Sequence, residues 1–433
     1  MKGVVALGSN LGDRRRNLEE AARYLRAQMQ VRILRTSPVF STAALVPVGA
    51  PKDWKKPFLN AVMEVEWPGS PLELLSCLKA TERQLGRTEA PRWSPRVIDL
   101  DLILLGDHTS RTPELTLPHS EFWNRQFVLT PLKHLWPGFV LQGQPQSVLS
   151  RSRELTEVTK EALPLWMAIL NLTPDSFSDG GQLWLNEEPS QSELEERLRL
   201  FDEHGIHVLD VGAESTRPQA QALSSHEEWR RLESGLGLIC EKYKDRCFPP
   251  WISVDTYHSE TAARALESGA HIINDVSGLA QESMLEVLQG SSCQYILMHS
   301  LSVPADPKLH IDSEDPVSVV KAWAQSRLER LEAAGVGLER VLFDPGIGFG
   351  KTAIQSLALL QRIHEFQDLP VRLVVGHSRK SFMNLWGPRC ADDREWESVA
   401  VSLRLAERGV DVLRVHRADL HTRAYRAFQD VSP

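Results

Sequence analysis

Residues His207–Pro218 read HVLDVGAESTRP, a strand-like run (His207–Val211) followed at once by Glu214, Ser215, Thr216 and Arg217. The same unit, a short apolar run closed by a polar group, recurs along the C-terminal part of the chain. The further runs are Trp166–Leu170, Trp251–Val254, His271–Asn274, Gln294–Met298, Val341–Phe343, Arg372–Val375 and Val410–Val415. Amphipathic helical spacing lies between them, as at Ser192–His204, Ser259–Ser268 and Val317–Ala334. Strands alternating with helices over about 260 residues predict a (β/α)8 TIM barrel, with an open doubly wound sheet as the alternative.

The ends of the eight runs carry Asn171, the Glu214–Arg217 stretch, Asp255, Asn274 with Asp275, His299, Asp344, the Ser378–Lys380 stretch, and Arg414 with His416. Taken singly, each is an ordinary cap or turn former. A barrel gathers the C-terminal ends of its strands around one mouth. Carboxylates, amides and cations then meet, as a polar heterocycle and an anion require. Two look-alike motifs fail. A phosphate-binding G-x-x-x-x-G-K-[ST] loop ending at Thr352 needs glycine at Pro345. The Gly376–Lys380 stretch ends in lysine where a nucleophile elbow needs glycine, so Ser378 reads as a hydrogen-bond donor.

MAILNLTPDSFSDGG (Met167–Gly181), DVGAESTRP (Asp210–Pro218), SVDTY (Ser253–Tyr257), INDVSG (Ile273–Gly278), FDPGIGFGK (Phe343–Lys351), VGHSRKSF (Val375–Phe382) and LRVH (Leu413–His416) resemble dihydropteroate synthase. The resemblance spans about 165–425 and keeps the family's motif order. It implies condensation of 6-hydroxymethyl-dihydropterin pyrophosphate with p-aminobenzoate. It places Asp255, Asn274, Asp344 and Lys380 in the pterin pocket, with Met298 and Phe349 beside them. Arg414, His416 and Ser378 fall at the pyrophosphate and p-aminobenzoate end, and Asn171 is tied to Mg2+. Phe177, Thr216, Arg217 and Pro218 lie on two loops that resemble the family's mobile lids. No protein nucleophile is needed if pyrophosphate leaves first and the aniline nitrogen attacks a pterin cation. The chain departs from the family pattern at Arg417, where RVHD is usual, and at Ser300, where M-H-M is commoner.

Upstream, Gly3–Leu7, Asn17–Gln28, Val31–Phe40, Phe58–Trp67, Pro71–Leu85 and Val97–Leu105 alternate as β-α-β-β-α-β, the order of a ferredoxin-like α+β sandwich. Residues 137–164 are polar and Gly/Pro/Gln/Ser-rich, so a boundary is expected there, with domains over 1–157 and 163–433. Asp99 and Asp101 alternate with Ile98, Leu100 and Leu102, so both carboxylates share one strand face, about 7 Å apart. An exposed edge strand accounts for such a pair alone. The company of Arg87, Arg92, Arg96, His119 and Arg125 points instead to a metal-dependent phosphoryl transfer.

GSNLGD (Gly8–Asp13), PFLNAV (Pro57–Val62), GRTEAPRWSPRVIDLDLIL (Gly86–Leu104) and LPHSEFWNRQFVLTPL (Leu117–Leu132) resemble 6-hydroxymethyl-7,8-dihydropterin pyrophosphokinase over about 1–140. The resemblance implies ATP as co-substrate, Asp99 and Asp101 as Mg2+ ligands, and Arg87 and Arg96 on the transferring group. It puts Glu82, Arg92, Trp93, His119 and Arg125 on the ATP side and Asn60 and Phe127 on the pterin. Departures are Ser94, where the family has Gly or Ala, and Glu89, where an arginine is frequent. The product of the first domain is the substrate of the second. A pterin-binding methyltransferase would not need the TPDSFSDGG and STRP loops, and a non-catalytic N-terminal module would not need the aspartates and arginines.

Composition agrees with such an enzyme. With 42% hydrophobic residues, the chain has enough apolar side chain for packed cores, which excludes general disorder. A net charge of −8 argues against a generic nucleic-acid binder, so anionic substrates must be met by local Arg and Lys. The five cysteines (Cys77, Cys240, Cys247, Cys293 and Cys390) form no C-x-x-C pair, so neither a disulfide framework nor a zinc site is expected. Met1 runs directly into a strand and no apolar run reaches membrane length, so a cytoplasmic protein without membrane partners is expected. A homodimer through the barrel is an expectation from the resemblance alone.

Overall fold

The computed structural model describes residues 1–91, 93–173, 184–185, 188–214, 222–388 and 390–431. The chain divides into two compact units. One is Met1–Thr159 with Asp245–Pro249, the other Lys160–Lys244 with Pro250–Pro433.

The first unit contains β1 (Lys2–Ser9), α1 (Arg14–Gln28), β2 (Arg32–Thr36), β3 (Phe40–Thr42), β4 (Phe58–Glu66), α2 (Pro71–Gln84) and β5 (Asp99–Leu105). A ribbon, β6 (Ser110–Arg111) with β7 (Thr116–Leu117), and helices α3 (Gln126–Lys133) and α4 (Val148–Thr159) follow. The sheet order is β2-β4-β1-β5, with β3 also on β4. Leu18, Ala21, Ala22 and Leu25 of α1 and Leu74 and Leu78 of α2 pack with Val5, Leu7, Leu100 and Leu102 of the sheet. Helical spacing on one side and alternation on the other thus meet in one core. Helix α2 starts where its chemistry dictates: Ser70 and Glu73 form a capping box and Pro71 opens the first turn.

The expected single strand Val31–Phe40 is two strands. Pro38 has no N–H for a ladder, so pairing stops there. Ser37 bridges the gap, its N–H donating to the Val62 carbonyl at 2.9 Å and its Oγ accepting from Val62 N at 2.9 Å. The pentapeptide Asp245–Pro249 adds a further piece to this unit. The buried Glu19 carboxylate accepts the N–H groups of Cys247 (2.7 Å) and Phe248 (3.1 Å), and Phe248 joins the apolar cluster.

The second unit begins with β8 (Leu165–Asn171), a two-stranded ribbon β9 (Trp184–Leu185) and β10 (Glu188–Pro189), and α5 (Gln191–His204). It continues through β11 (Val208–Gly212), α6 (Ser225–Tyr243), β12 (Trp251–Asp255), α7 (Ser259–Glu267), β13 (Ile272–Asp275), α8 (Ser283–Gln289) and β14 (Gln294–Met298). The last elements are α9 (Pro316–Ala333), β15 (Val341–Asp344), α10 (Ala353–Gln361), β16 (Arg372–Gly376), α11 (Glu395–Glu407), β17 (Val412–Val415) and α12 (Ala418–Val431). Strand β8 and strands β11 to β17 close into a parallel barrel, which removes the open-sheet alternative. Each expected barrel strand is present with its ends within two residues. Among the described residues, no helix is long and apolar enough to cross a membrane.

Candidate functional site

In the first unit, β1 and β5 run antiparallel with Gly8 opposite Asp99 and Ala6 opposite Asp101. Both carboxylates therefore face one wall of a cavity of about 330 Å³. Gly8 keeps that wall open, since a Cβ there would come within 3.0 Å of the Asn60 amide oxygen. The same cavity is lined by Asn60, Arg87, Trp93, Arg96, His119, Arg125 and Phe127. Arg92 lies outside the described residues.

The charges at this wall are unevenly balanced. Arg87 donates to Asp99 Oδ1 at 2.5 Å and Arg96 to Oδ2 at 2.8 Å. Burial disfavours the Asp99 carboxylate, but Arg87 and Arg96 outweigh it and hold the group below the usual carboxylate range. Asp101 goes the other way, pushed up by burial and then by Asp99. Burial likewise lowers His119, with Asp101 opposing. The Arg125 guanidinium sits 5.8 Å from the Phe127 ring centre. Trp93 is exposed with φ +75°, at the rim of the cavity.

Glu82, expected on the ATP side, stands behind the cavity wall. It is 3% exposed and does not line the cavity. Its Oε1 accepts from Lys79 Nζ at 2.8 Å, from Leu100 N at 2.7 Å and from Arg87. A carboxylate so satisfied is a support beneath Arg87. Lys79 was not anticipated. It lines the cavity and also donates to the Leu100 carbonyl at 3.1 Å. Its i,i+3 spacing to Glu82 on α2 was the available signal. Ser94 is accommodated because its hydroxyl donates to the Pro91 carbonyl at 2.7 Å, and Glu89 is exposed.

In the second unit, strand ends bring the expected residues to one mouth. Arg414 on β17 donates from Nε to Asp210 Oδ2 at 2.5 Å and from Nη2 to Asp255 Oδ2 at 2.7 Å. Asn274 Nδ2 donates to the same Asp210 oxygen at 3.2 Å. Arg414 thus lies against the Asp255 carboxylate, which the sequence resemblance assigns to the pterin. Asp210, fully buried, joins Asn274 and Arg414 in this cluster, though no role for it was read from the sequence. Burial pushes Asp255 up to about 7, with Arg414 pulling it down and Asp210 and Asp275 pushing further up.

Asp344 closes β15 and accepts from Gly346 N at 2.7 Å and Gly376 N at 3.3 Å. Gly346 has φ +68°, and a Cβ there would sit 1.9 Å from the His299 carbonyl oxygen, so only glycine fits. Lys380 Nζ donates to the Ile347 carbonyl and lies 4.7 Å over the Phe349 ring. Burial lowers Lys380 to about 8, Asp344 opposing and Arg414 adding to the fall. Ser378 Oγ pairs with His416 Nδ1 at 3.0 Å. Met298 stands opposite Asp344 in the β14–β15 ladder, and Asn171 ends β8 opposite Gly212. Phe177, Thr216, Arg217 and Pro218 lie outside the described residues. Arg417 makes a two-point pair with Asp419, and Ser300 Oγ donates to the Ser302 carbonyl at 2.6 Å.

Comparison with known proteins finds relatives for both units. Residues 4–137 match the family described as 7,8-dihydro-6-hydroxymethylpterin-pyrophosphokinase, and residues 167–416 match the pterin binding enzymes. A folate synthesis bifunctional protein of Chlamydia caviae is 35% identical across 98% of this chain and 96% of its own length. A dihydropteroate synthase of Xanthomonas albilineans, solved with 4-aminobenzoic acid, is 34% identical with a TM-score of 0.54, covering 62% of this chain and 94% of that one. That of Anaplasma phagocytophilum, solved with 6-hydroxymethylpterin-monophosphate, is 31% identical with a TM-score of 0.54, covering 62% of this chain and 99% of that one. The chain therefore belongs to the folate synthesis bifunctional proteins, which join a hydroxymethyl-dihydropterin pyrophosphokinase to a dihydropteroate synthase.

Proposed function

We propose that the first unit transfers the β,γ-pyrophosphoryl group of ATP to 6-hydroxymethyl-7,8-dihydropterin, and that the barrel condenses the product with p-aminobenzoate. In the first step the pterin hydroxyl oxygen bonds to the β-phosphorus of ATP, AMP leaves, and the hydroxyl proton passes to solvent. Phe127 offers a stacking face and Asn60 an amide for the pterin. Arg87 and Arg96 meet charge on the transferring group, with Trp93, His119, Arg125 and Arg92 on the ATP side. Asp99 and Asp101 are suited to Mg2+. Two half-buried carboxylates share one wall, and the upward shift of Asp101, from burial and then from Asp99, is relieved by a divalent cation. When bound, Mg2+ neutralises phosphate charge.

In the second step the C–O bond of the pterin methylene breaks and pyrophosphate departs. The aniline nitrogen then forms the C–N bond and loses its proton. Asp255, Asn274, Asp344 and Lys380 present donors and acceptors to the pterin, with Met298 and Phe349 beside it. Arg414, His416 and Ser378 face the departing anion, and the amide of Asn171 suits a Mg2+ ligand. Phe177, Thr216, Arg217 and Pro218 are assigned to the p-aminobenzoate side by resemblance.

The observation that carries this reading is the convergence of an acid, an amide and two cations from strand ends on different parts of the barrel. Asp255, Asn274 and Arg414 meet through Asp210, while Lys380 sits over Phe349. Incubation of the intact chain with ATP, Mg2+, hydroxymethyl-dihydropterin and p-aminobenzoate is expected to yield AMP and dihydropteroate. Absence of AMP rejects the first assignment. AMP without dihydropteroate rejects the second.

A further inference from the structure

The turn after β16 alternates its side chains. Ser378 reaches His416, and Lys380 reaches the Ile347 carbonyl over the Phe349 ring. The residues that alternate with them, His377 and Arg379, are held from α11. Arg379 has φ +58°, a conformation a non-glycine residue keeps only when its surroundings enforce it.

The enforcement is a continuous polar chain. His377 Nε2 lies 2.9 Å from Ser402 Oγ and 3.1 Å from the Ser398 carbonyl. Ser402 Oγ lies 2.8 Å from His421 Nδ1, and His421 Nε2 lies 3.0 Å from Glu395 Oε1. The other Glu395 oxygen accepts from Arg379 Nε at 2.7 Å. Ser398 Oγ also accepts the Arg379 backbone N–H at 3.0 Å. One donor order is compatible with these contacts: His377 Nε2–H is shared by Ser402 Oγ and the Ser398 carbonyl, Ser402 gives to His421, and His421 and Arg379 both give to Glu395. His377, Ser398, Ser402 and His421 are fully buried, where a half-satisfied network is costly and a satisfied one fixes a single arrangement.

We propose that Glu395, Ser402 and His421 are positioning residues for the synthase step, fixing the backward-facing His377 and Arg379 so that Ser378 and Lys380 are aimed into the barrel mouth. This rests on the reading of Ser378 and Lys380 as synthase residues. None of the three positioning residues needs to touch substrate. Their effect reaches the reaction through the turn, where a displacement of about 1 Å costs on the order of 100-fold in rate.

The test uses the intact chain supplied with pterin pyrophosphate and p-aminobenzoate, comparing Glu395→Gln, Ser402→Ala, the double variant and Lys380→Ala. Turnover is measured well below each variant's own melting midpoint. The single variants are expected to lose roughly 10- to 100-fold in kcat. The KM for pterin pyrophosphate is expected to move by less than about threefold, because Asp255, Asn274 and Asp344 are untouched. The double variant should be no worse than the poorer single, since both break one chain. A defect of stability alone would lower the midpoint and leave kcat of the folded enzyme intact, which overturns the proposal. So does independent multiplication of the two losses. If Lys380→Ala keeps its kcat, the reading of the mouth has failed. If Lys380→Ala loses turnover while the other variants keep theirs, this inference alone has failed.

Discussion

Arg414 donates to Asp255 at 2.7 Å across the barrel mouth while its Nε is held by Asp210 at 2.5 Å. The two carboxylates are buried together, and this guanidinium is the cation between them. Arg414→Ala should therefore do more than remove an anion contact. Stranding two buried carboxylates is expected to cost about 3–5 kcal/mol. Calorimetry should show the loss in the transition of the second unit, with synthase turnover lost as well. Arg414→Lys should retain part of the stability, since the charge stays but the two-point geometry goes.

The synthase step should fail at alkaline pH earlier than an ordinary lysine allows. Burial lowers Lys380 from the ordinary lysine range to about 8. Below about 8 the ammonium is present to balance Asp344; as pH rises through 8 it is lost, and the rate should fall. A pH–rate profile with pterin pyrophosphate supplied should show this limb. In Lys380→Arg the limb should move out of range because a guanidinium stays charged. AMP production by the first unit should not share the limb.

Arg96→Ala should lower the rate of AMP formation by about 100- to 1000-fold, the usual effect of removing one preorganised cation or donor at a transferring group. Asp99 retains Arg87, so the fold of the first unit should persist. Initial rates with ATP and hydroxymethyl-dihydropterin check the first point, and a melting curve the second.

Glu19→Ala tests the addition of Asp245–Pro249 to the first unit. Two backbone N–H groups, of Cys247 and Phe248, would lose their acceptor. The expected loss is about 1–3 kcal/mol. Hydrogen exchange should quicken at those two amides before it quickens in β1 or β4. Unchanged exchange there would refute the role of Glu19.

Much of this architecture was legible because it is periodic. The barrel strands declare themselves as apolar runs ending in polar groups, and α1 and α2 as 3.6-residue spacing against an alternating sheet. Asp99 and Asp101 were legible as a pair because strand alternation alone puts them on one face. What was not legible depends on partners distant in sequence. Asp210 acquires its role only when the chain closes and Arg414, 204 residues later, comes to meet it. The pairing of Glu82 with Arg87 and the Leu100 N–H depends in the same way on partners the sequence does not place beside it. The break at Pro38 was written in the sequence but outweighed by the alternation around it. The backward orientation of Arg379 follows from Glu395 and Ser398, whose helix gives no local sign of it.

The central claim is that two separate constellations each perform one step. The most direct measurement is dihydropteroate formation by the Asp101→Ala and Lys380→Ala chains, each started from either hydroxymethyl-dihydropterin with ATP or pterin pyrophosphate. Asp101→Ala should make no dihydropteroate from the alcohol and a normal amount from the pyrophosphate. Lys380→Ala should make none from either, while still releasing AMP. Loss of dihydropteroate from pterin pyrophosphate in Asp101→Ala, or loss of AMP in Lys380→Ala, would contradict the division of labour.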